Sequence, residues 1–295
     1  MPYNLILGSI SPRELRKRNE LTDAIAPMSH VSKKGRIHVQ RTKCMKVVAL
    51  AVSMLFAGAA MAADAPAAKK AADAGGPCKT QNSKACQDAM TPQLILDRFK
   101  QGNARFASGK SKQRDYVKQV KATAADQFPL ASVLSCIDSR APAELVFDQG
   151  IGDLFNARVA GNIVNEDILG SLEFGSKVMG AKLIVVLGHT SCGAIKGACD
   201  DVKLGNLTGL LGKIKPAMSK VPNDGKDRSS KNYAFVEMVA EQNVRLTVEA
   251  IRAKSPVLKE MEDKGEIKIV GAMYDVKTGK VDWYDAAAAP AAAKK

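Results

Sequence analysis

Short apolar runs alternate with amphipathic stretches along the chain after residue 90. Two short apolar runs, 131–134 and 183–187, predict buried strands, and residues 153–160 and 267–272 predict two more. Between them apolar residues recur at helical spacing, most clearly over 233–253. Strands that alternate with helices favour a parallel sheet covered on both faces. We therefore expect an α/β fold with a mostly parallel four-stranded sheet and an antiparallel extension at 281–284.

The first helix of this region has clear boundaries in the sequence. Thr91 can cap it, Pro92 stands in its first turn, and Gly109 marks its end. A polar segment follows, up to Ala125.

The first 62 residues have the pattern of an export signal. A methionine–lysine pair precedes an uncharged run that closes in small residues, with Ala60 and Ala62 spaced as at a cleavage site. This pattern predicts a secretory signal peptide over 45–62, cut after Ala62, in preference to an uncleaved anchor. We interpret residues 1–44 as an over-extended reading frame or an unusually long leader.

Removing the predicted leader changes the charge of the protein. The formal net charge is +14 over 295 residues, and residues 1–62 carry ten basic and three acidic side chains, so the remainder is +7. A mildly basic chain without a clustered basic face calls for no nucleic-acid partner, and we expect no stable membrane anchor. Low-complexity sequence predicts a flexible linker over 63–90 and an Ala/Lys-rich tail over 286–295.

Five cysteines and one histidine, His189, remain after the predicted cut. An exported protein meets an oxidising compartment, and Cys78 and Cys86 lie close together in a polar segment. We therefore predict a local Cys78–Cys86 disulfide. Cys199, seven residues after Cys192, is interpreted as a buried apolar side chain.

Groups that can bind a metal follow two of the predicted strands. The first segment, 135–140, has the sequence S-C-I-D-S-R, and the second, 188–193, has the sequence G-H-T-S-C-G. Parallel strands bring their carboxyl ends to one edge, so Cys136, His189 and Cys192 should meet there. Two thiols and one imidazole suit zinc and leave a fourth position for water. A buried disulfide between the two cysteines and a purely structural role for the nearby charged pair are the alternatives.

These segments resemble the β-class carbonic anhydrases, which are α/β zinc enzymes that interconvert carbon dioxide and bicarbonate. The matching residues are 135–140, 152–155, Arg158, Asn162, 188–194, 271–276 and 278–279. The resemblance covers about residues 91–285, which we interpret as one β-carbonic anhydrase domain.

The resemblance implies one zinc ion per subunit, with Cys136, His189 and Cys192 as ligands. It assigns Asp138 and Arg140 as the catalytic pair. Zinc lowers the pKa of its bound water to about 7, so hydroxide can attack carbon dioxide near neutral pH. Asp138 would accept a hydrogen bond from that hydroxide, and Arg140 would keep Asp138 ionised and off the metal.

Two resting forms are known in the family, one with water as the fourth ligand and one with the aspartate that matches Asp138. The second form accompanies a bicarbonate site with a tryptophan three residues before the first cysteine ligand. This chain has Val133 there, so we expect the water-bound form, with Asp138 as a possible fourth ligand in a resting form.

The resemblance also assigns Gln127 and Phe155 to substrate binding, and Gly193, at a predicted helix start, can offer a backbone N–H to the substrate beside the zinc site. Gln127 would reach the site across a dimer interface. The family forms dimers that pair further, so a homodimer or tetramer is implied, with the first helix packed on a partner subunit. No second histidine is available after the cut to carry protons, so turnover should depend on buffer concentration.

Two other functions use the same residues. A hydrolase of carbonyl sulfide or carbon disulfide would share the zinc chemistry. A zinc-binding or redox-sensing protein would use Cys136 and Cys192 without catalysis, but it would not need Asp138 and Arg140. Hydration of carbon dioxide is therefore the predicted activity.

Overall fold

A five-stranded sheet forms the centre of this protein in the computed structural model, which describes residues 83–284. The strands are β1 (Ala131–Ser135), β2 (Leu154–Arg158), β3 (Leu183–His189), β4 (Lys268–Tyr274) and β5 (Val281–Tyr284). Their order is β2-β1-β3-β4-β5, and only the β4–β5 pair is antiparallel. The predicted sheet of four parallel strands with an antiparallel extension is confirmed.

Helices cover both faces of the sheet. They are α1 (Lys84–Ala89), α2 (Pro92–Ala107), α3 (Tyr116–Ala122), α4 (Ala143–Val146), α5 (Glu166–Glu173), α6 (Gly193–Cys199), α7 (Gly205–Gly212), α8 (Lys215–Lys220), α9 (Tyr233–Lys254) and α10 (Pro256–Asp263). A 3-10 turn (Ala160–Asn162) follows β2, and a π turn (Phe174–Val178) extends α5.

Alternate residues of the central strands bury their side chains in two separate cores. Leu134 of β1 and Val186 of β3 pack in the core that α9 covers. Val133 and Val185 point the other way, into the core that α1 and α2 cover, with Phe99 of α2 fully buried there. Burial on both faces explains why the strand sequences are continuous apolar runs without alternation.

Two glycines let α9 lie close to β3, near its carboxyl end, and to the middle of β4. A Cβ atom on Gly188 would lie 2.5 Å from Val244 Cγ2, and one on Gly271 would lie 2.8 Å from Val244 Cγ1. Both distances are too short for carbon atoms, so any larger residue would push the helix outward.

The predicted helix boundaries at Thr91 and Gly109 agree with the structure. The Thr91 side chain accepts a hydrogen bond from the Leu94 backbone N–H, and Gly109 has a φ of 69° just beyond the end of α2. The polar segment that follows contains α3, which the sequence pattern did not predict. No side chain of α3 is buried, so it has no core-facing stripe to reveal it.

The predicted linker is too long at its C-terminal end. Residues 84–89 form α1, and Gln87 is buried with its amide donating to the Pro129 and Met179 carbonyls at 2.8 Å each. Cys86 is buried and disulfide-bonded. Its predicted partner, Cys78, lies outside the described residues.

Other predictions also fall on residues that the structure does not describe: the leader over 1–44, the signal peptide over 45–62 with its cut after Ala62, most of the linker, and the tail. Within residues 83–284, none of the helices is long and apolar enough to span a bilayer.

Candidate metal and active site

The strand register brings the predicted ligands to one edge of the sheet. Ser135 pairs with Leu187, so Cys136 follows β1 at the level of Gly188, one residue before His189. Cys192 comes three residues later, as the cap of α6. The ligand atoms of Cys136, His189 and Cys192 all lie within 4.8 Å of one another, and the three residues are buried.

The histidine is oriented by its own turn. His189 Nδ1 lies 2.9 Å from the Thr190 carbonyl oxygen, so Nδ1 carries the proton and donates it there. Nε2 then holds a free lone pair, and it is buried without a hydrogen-bond partner. A buried nitrogen without a partner would cost free energy in a site without a cation, whereas a metal ion would accept its lone pair. The donor set therefore fits zinc.

The two cysteines are free thiols, so the alternative of a Cys136–Cys192 disulfide is wrong. The pKa of Cys136 is lowered to about 4, chiefly because Cys192 donates a hydrogen bond to it; the Gly161 N–H, 3.3 Å from Sγ, contributes as well. The pKa of Cys192 is raised by the same contact and by burial. The lowered pKa favours the anionic form of Cys136, which is the form that binds a metal.

Asp138 and Arg140 form a two-pronged ion pair beside this cluster. Arg140 Nε donates to Asp138 Oδ1 at 2.9 Å, and Nη2 donates to Oδ2 at 2.8 Å. These hydrogen bonds hold the pKa of Asp138 well below its usual range. Asp138 Oδ2 lies 3.8 Å from His189 Nε2. An ionised oxygen therefore faces the metal-binding atoms while the guanidinium holds the carboxylate from the other side.

Arg158, at the end of β2, fixes the backbone of the first segment. Its Nε donates to the Cys136 carbonyl at 2.9 Å, and its Nη2 donates to the Asp138 carbonyl at 2.6 Å. Both residues that carry chemistry on this segment are thus held by one side chain from the neighbouring strand. In the sequence Arg158 only matches the family pattern, and its role in holding this segment follows from the structure.

Gly193 begins α6 directly after Cys192, and the space where its Cβ would stand is open within 4 Å. Cys199 lies at the far end of α6, where burial raises the pKa of its thiol to about 11. It belongs to the residues packed against the α9 core and not to the metal-binding group.

The structure does not bring Gln127 and Phe155 to the cluster within one chain. Gln127 is exposed and precedes β1, at the opposite end of that strand from Cys136. Phe155 pairs with Ser132, four residues before Cys136, which is about 13 Å along a strand. Its ring packs on Phe174, with centroids 6.3 Å apart.

Comparison with known proteins agrees with this geometry. The family model described as carbonic anhydrase matches residues 131–281. Carbonic anhydrase 2 of Mycobacterium tuberculosis is 35% identical over 188 residues, which cover 62% of this chain and 87% of that protein.

Solved structures show the same fold. A β-carbonic anhydrase of Aspergillus fumigatus superposes with a TM-score of 0.52 at 25% identity, covering 67% of this chain and 92% of its own. One of two tetrameric β-carbonic anhydrases from Sordaria macrospora gives a TM-score of 0.51 at 22% identity, over 57% of this chain and 89% of its own.

The region matched by the family model contains strands β1 to β4, the Cys136, His189 and Cys192 cluster, and the Asp138–Arg140 pair. Sequence, fold and local geometry thus point to the same enzyme class. The chain belongs to the carbonic anhydrase family, and within it to the β class.

Proposed function

We propose that this carbonic anhydrase hydrates carbon dioxide with one zinc ion per subunit, held by Cys136, His189 and Cys192. One observation carries the assignment: the buried, unpartnered Nε2 of His189 faces two thiols within a cluster 4.8 Å across. Two sulfurs and one imidazole nitrogen are a common donor set for catalytic zinc. When bound, zinc would lower the pKa of water enough to supply a nucleophile at neutral pH.

The chain's own residues orient that nucleophile. With zinc bound, Asp138 would be the hydrogen-bond acceptor for that nucleophile, because its ionised Oδ2 is turned toward the ligand atoms. An acceptor in this position would orient the nucleophile toward carbon dioxide. Arg140 keeps Asp138 unprotonated by donating to both of its oxygens.

The same pair favours a resting state in which Asp138 is not a metal ligand. Both of its oxygens accept hydrogen bonds from Arg140, and that fork would have to loosen for Asp138 to bind a cation. Val133 stands where the aspartate-bound form has a tryptophan, and it is fully buried in the core that α1 and α2 cover. This arrangement supports water as the fourth ligand. A crystal at neutral pH with Asp138 bound to the metal would contradict it.

We assign the carbon dioxide pocket to residues of two subunits. Gly193 lies beside Cys192, whereas Gln127 and Phe155 lie too far along β1 and β2 to reach the cluster of their own chain. A homodimer or tetramer would supply them from a partner. The Sordaria macrospora relatives are described as tetrameric. Light scattering after size exclusion would test this, and a monomer with full activity would contradict it.

We also propose that the protein is exported to the periplasm or secreted. The signal-peptide pattern over 45–62 supports this. The disulfide at Cys86 supports it too, because structural disulfides are typical of oxidising compartments. Fractionation of cells with an intact-mass measurement would test it. An unprocessed protein in the cytosol would exclude export.

Stopped-flow hydration of carbon dioxide with and without a chelator tests the proposed reaction. We expect hydration by the parent protein, with stoichiometric zinc, and loss of at least about a hundredfold in rate after zinc is removed. Returning zinc should restore the rate. Stoichiometric zinc without hydration would instead indicate a binding protein, and full hydration by the metal-free protein would exclude the zinc assignment.

A further inference from the structure

We propose that α9 braces the metal centre through two positioning residues, Glu237 and Asn243. Each fixes one of the two backbone segments that bring the ligands together, and neither belongs to the ligand cluster. The inference rests on the zinc site proposed above.

Glu237 holds the turn between two of the ligands. Ser191 lies between His189 and Cys192 and has a φ of 55°, in the left-handed region that residues other than glycine rarely adopt. Glu237 Oε1 accepts a hydrogen bond from the Ser191 backbone N–H at 2.8 Å. An acceptor on a separate helix thus fixes a strained peptide, and with it the directions in which both ligand side chains leave the backbone.

Asn243 acts on the third ligand through one intermediate residue. The Gly161 N–H donates to Cys136 Sγ at 3.3 Å, and the Gly161 carbonyl accepts from Asn243 Nδ2 at 2.7 Å. Gly161 has a φ of 70°. Asn243 is buried, so its amide has a fixed partner and little freedom to move. The contact therefore fixes the Gly161 peptide whose N–H meets Cys136 Sγ, and in this way it helps to hold the sulfur in place.

The helix has the position and the rigidity that this role requires. It runs for 22 residues, and Val244, next to Asn243, lies against the positions of Gly188, near the carboxyl end of β3, and Gly271, in the middle of β4. Groups that orient metal ligands from outside the ligand set can change metal affinity by about 10–100-fold. A rigid helix packed on these strands can supply such groups to both segments at once.

The rate of zinc release into a chromophoric chelator, measured on the full protein, tests the proposal. We expect Glu237→Ala and Asn243→Ala to release zinc at least about tenfold faster than the parent. Glu237→Gln keeps a carbonyl acceptor for Ser191 and should restore most of the retention, because the contact needs an acceptor and not a charge. Glu249→Gln, an exposed change on the same helix, is the matched control and should release zinc at the parent rate.

A second readout separates positioning from general stability. In the cobalt-substituted protein, both alanine variants should shift or weaken the thiolate-to-metal absorption band, while Glu249→Gln should leave it unchanged. Urea unfolding of the metal-free forms measures what each side chain adds to the fold alone. A band and a release rate that match the parent, with only the unfolding midpoint lowered, would show a structural role and overturn the proposal.

The outcomes also separate this inference from the zinc assignment. A parent protein that cannot be loaded with zinc would remove the proposed metal site itself. A parent that retains zinc, with release from an alanine variant within twofold of it, overturns the role of that residue alone. If Asn243→Ala does not fold, the contrast between Glu237→Ala and Glu237→Gln decides the proposal.

Discussion

Asp138 and Asp148 are both held by guanidinium groups, and they lie only ten residues apart. Arg140 donates to Asp138 beside the ligand cluster, and half of the Arg140 side chain is exposed. Asp148 is buried, with 1% of its side chain exposed, and it is held by both Arg105 and Arg114.

Both carboxylates form ion pairs with guanidinium groups, but one ion pair serves the reaction and the other stabilises the fold. Asp138 has one oxygen turned toward the ligands, so its ionisation serves the reaction. The carboxylate oxygens of Asp148 accept hydrogen bonds from Arg105 of α2, from Arg114 and from the Lys112 backbone N–H. Its ionisation therefore ties the N-terminal helix region to the loop after α4. The number and burial of the partners, more than the ion pair itself, indicate which role a carboxylate has.

The largest expected effect is on activity when Asp138 is removed. Asp138→Ala should lower the carbon dioxide hydration rate by about a hundredfold or more, because the attacking oxygen loses its acceptor. Zinc content and the unfolding midpoint should stay close to those of the parent. Stopped-flow rates and metal analysis measure this, with the exposed change Asp126→Asn as control. Hydration within threefold of the parent would contradict the role of Asp138.

The opposite result is expected at Asp148. Asp148→Asn should lower the free energy of unfolding by about 3 kcal/mol, because two cations lose a buried counter-charge. Hydration at 25 °C should stay within twofold of the parent. Urea unfolding at matched protein concentration measures the first effect, since association contributes to apparent stability. A large loss of activity without loss of stability would show that the two sites are coupled.

A smaller effect is expected when Arg140, which donates two hydrogen bonds to Asp138, is replaced by lysine. Arg140→Lys should lower hydration about tenfold, because lysine cannot donate to both oxygens from one plane. In the parent protein the hydrogen bonds from Arg140 lower the pKa of Asp138. Weaker hydrogen bonds in the variant would let that pKa rise toward about 4. The acid-side loss of activity should therefore begin at a higher pH in the variant. An unchanged pH–rate profile would show that the fork does not control this carboxylate.

The smallest expected effect is on the pH dependence of stability. Burial alone would raise the pKa of Asp148, but hydrogen bonds from Arg114 and Arg105 outweigh it and lower the pKa. A lowered pKa means that the pair stabilises the fold above about pH 4, and that this contribution is lost as the pH falls through the folded-state value. Asp148→Asn should lose less stability than the parent over that acid range. Parallel curves for the two proteins would contradict this.

The sequence predicted features that depend on nearby residues. The ligand segments were recognisable because each pairs a metal-binding motif with an apolar strand, and the sheet then placed them together as expected. Asp148 was missed because its partners lie 34 and 43 residues away, with no local pattern that connects them.

Other parts were hidden for different reasons. Helix α3 buries no side chain, so hydrophobic periodicity could not identify it. Helix α1 lies in a segment whose polar composition suggested a linker, although Gln87 and Cys86 tie it to the domain. Asn243 offered one usable signal, since a polar residue on the buried side of an amphipathic helix usually has a specific partner.

The short distance between α9 and the strands β3 and β4 has a consequence for how the protein tolerates mutation. Gly188 and Gly271 leave no room for a methyl group beside Val244. A scan of all substitutions, scored by activity, should therefore mark these two positions as nearly as intolerant as the ligands. Their sensitivity would reflect the spacing between a helix and a sheet, and not any contact with carbon dioxide.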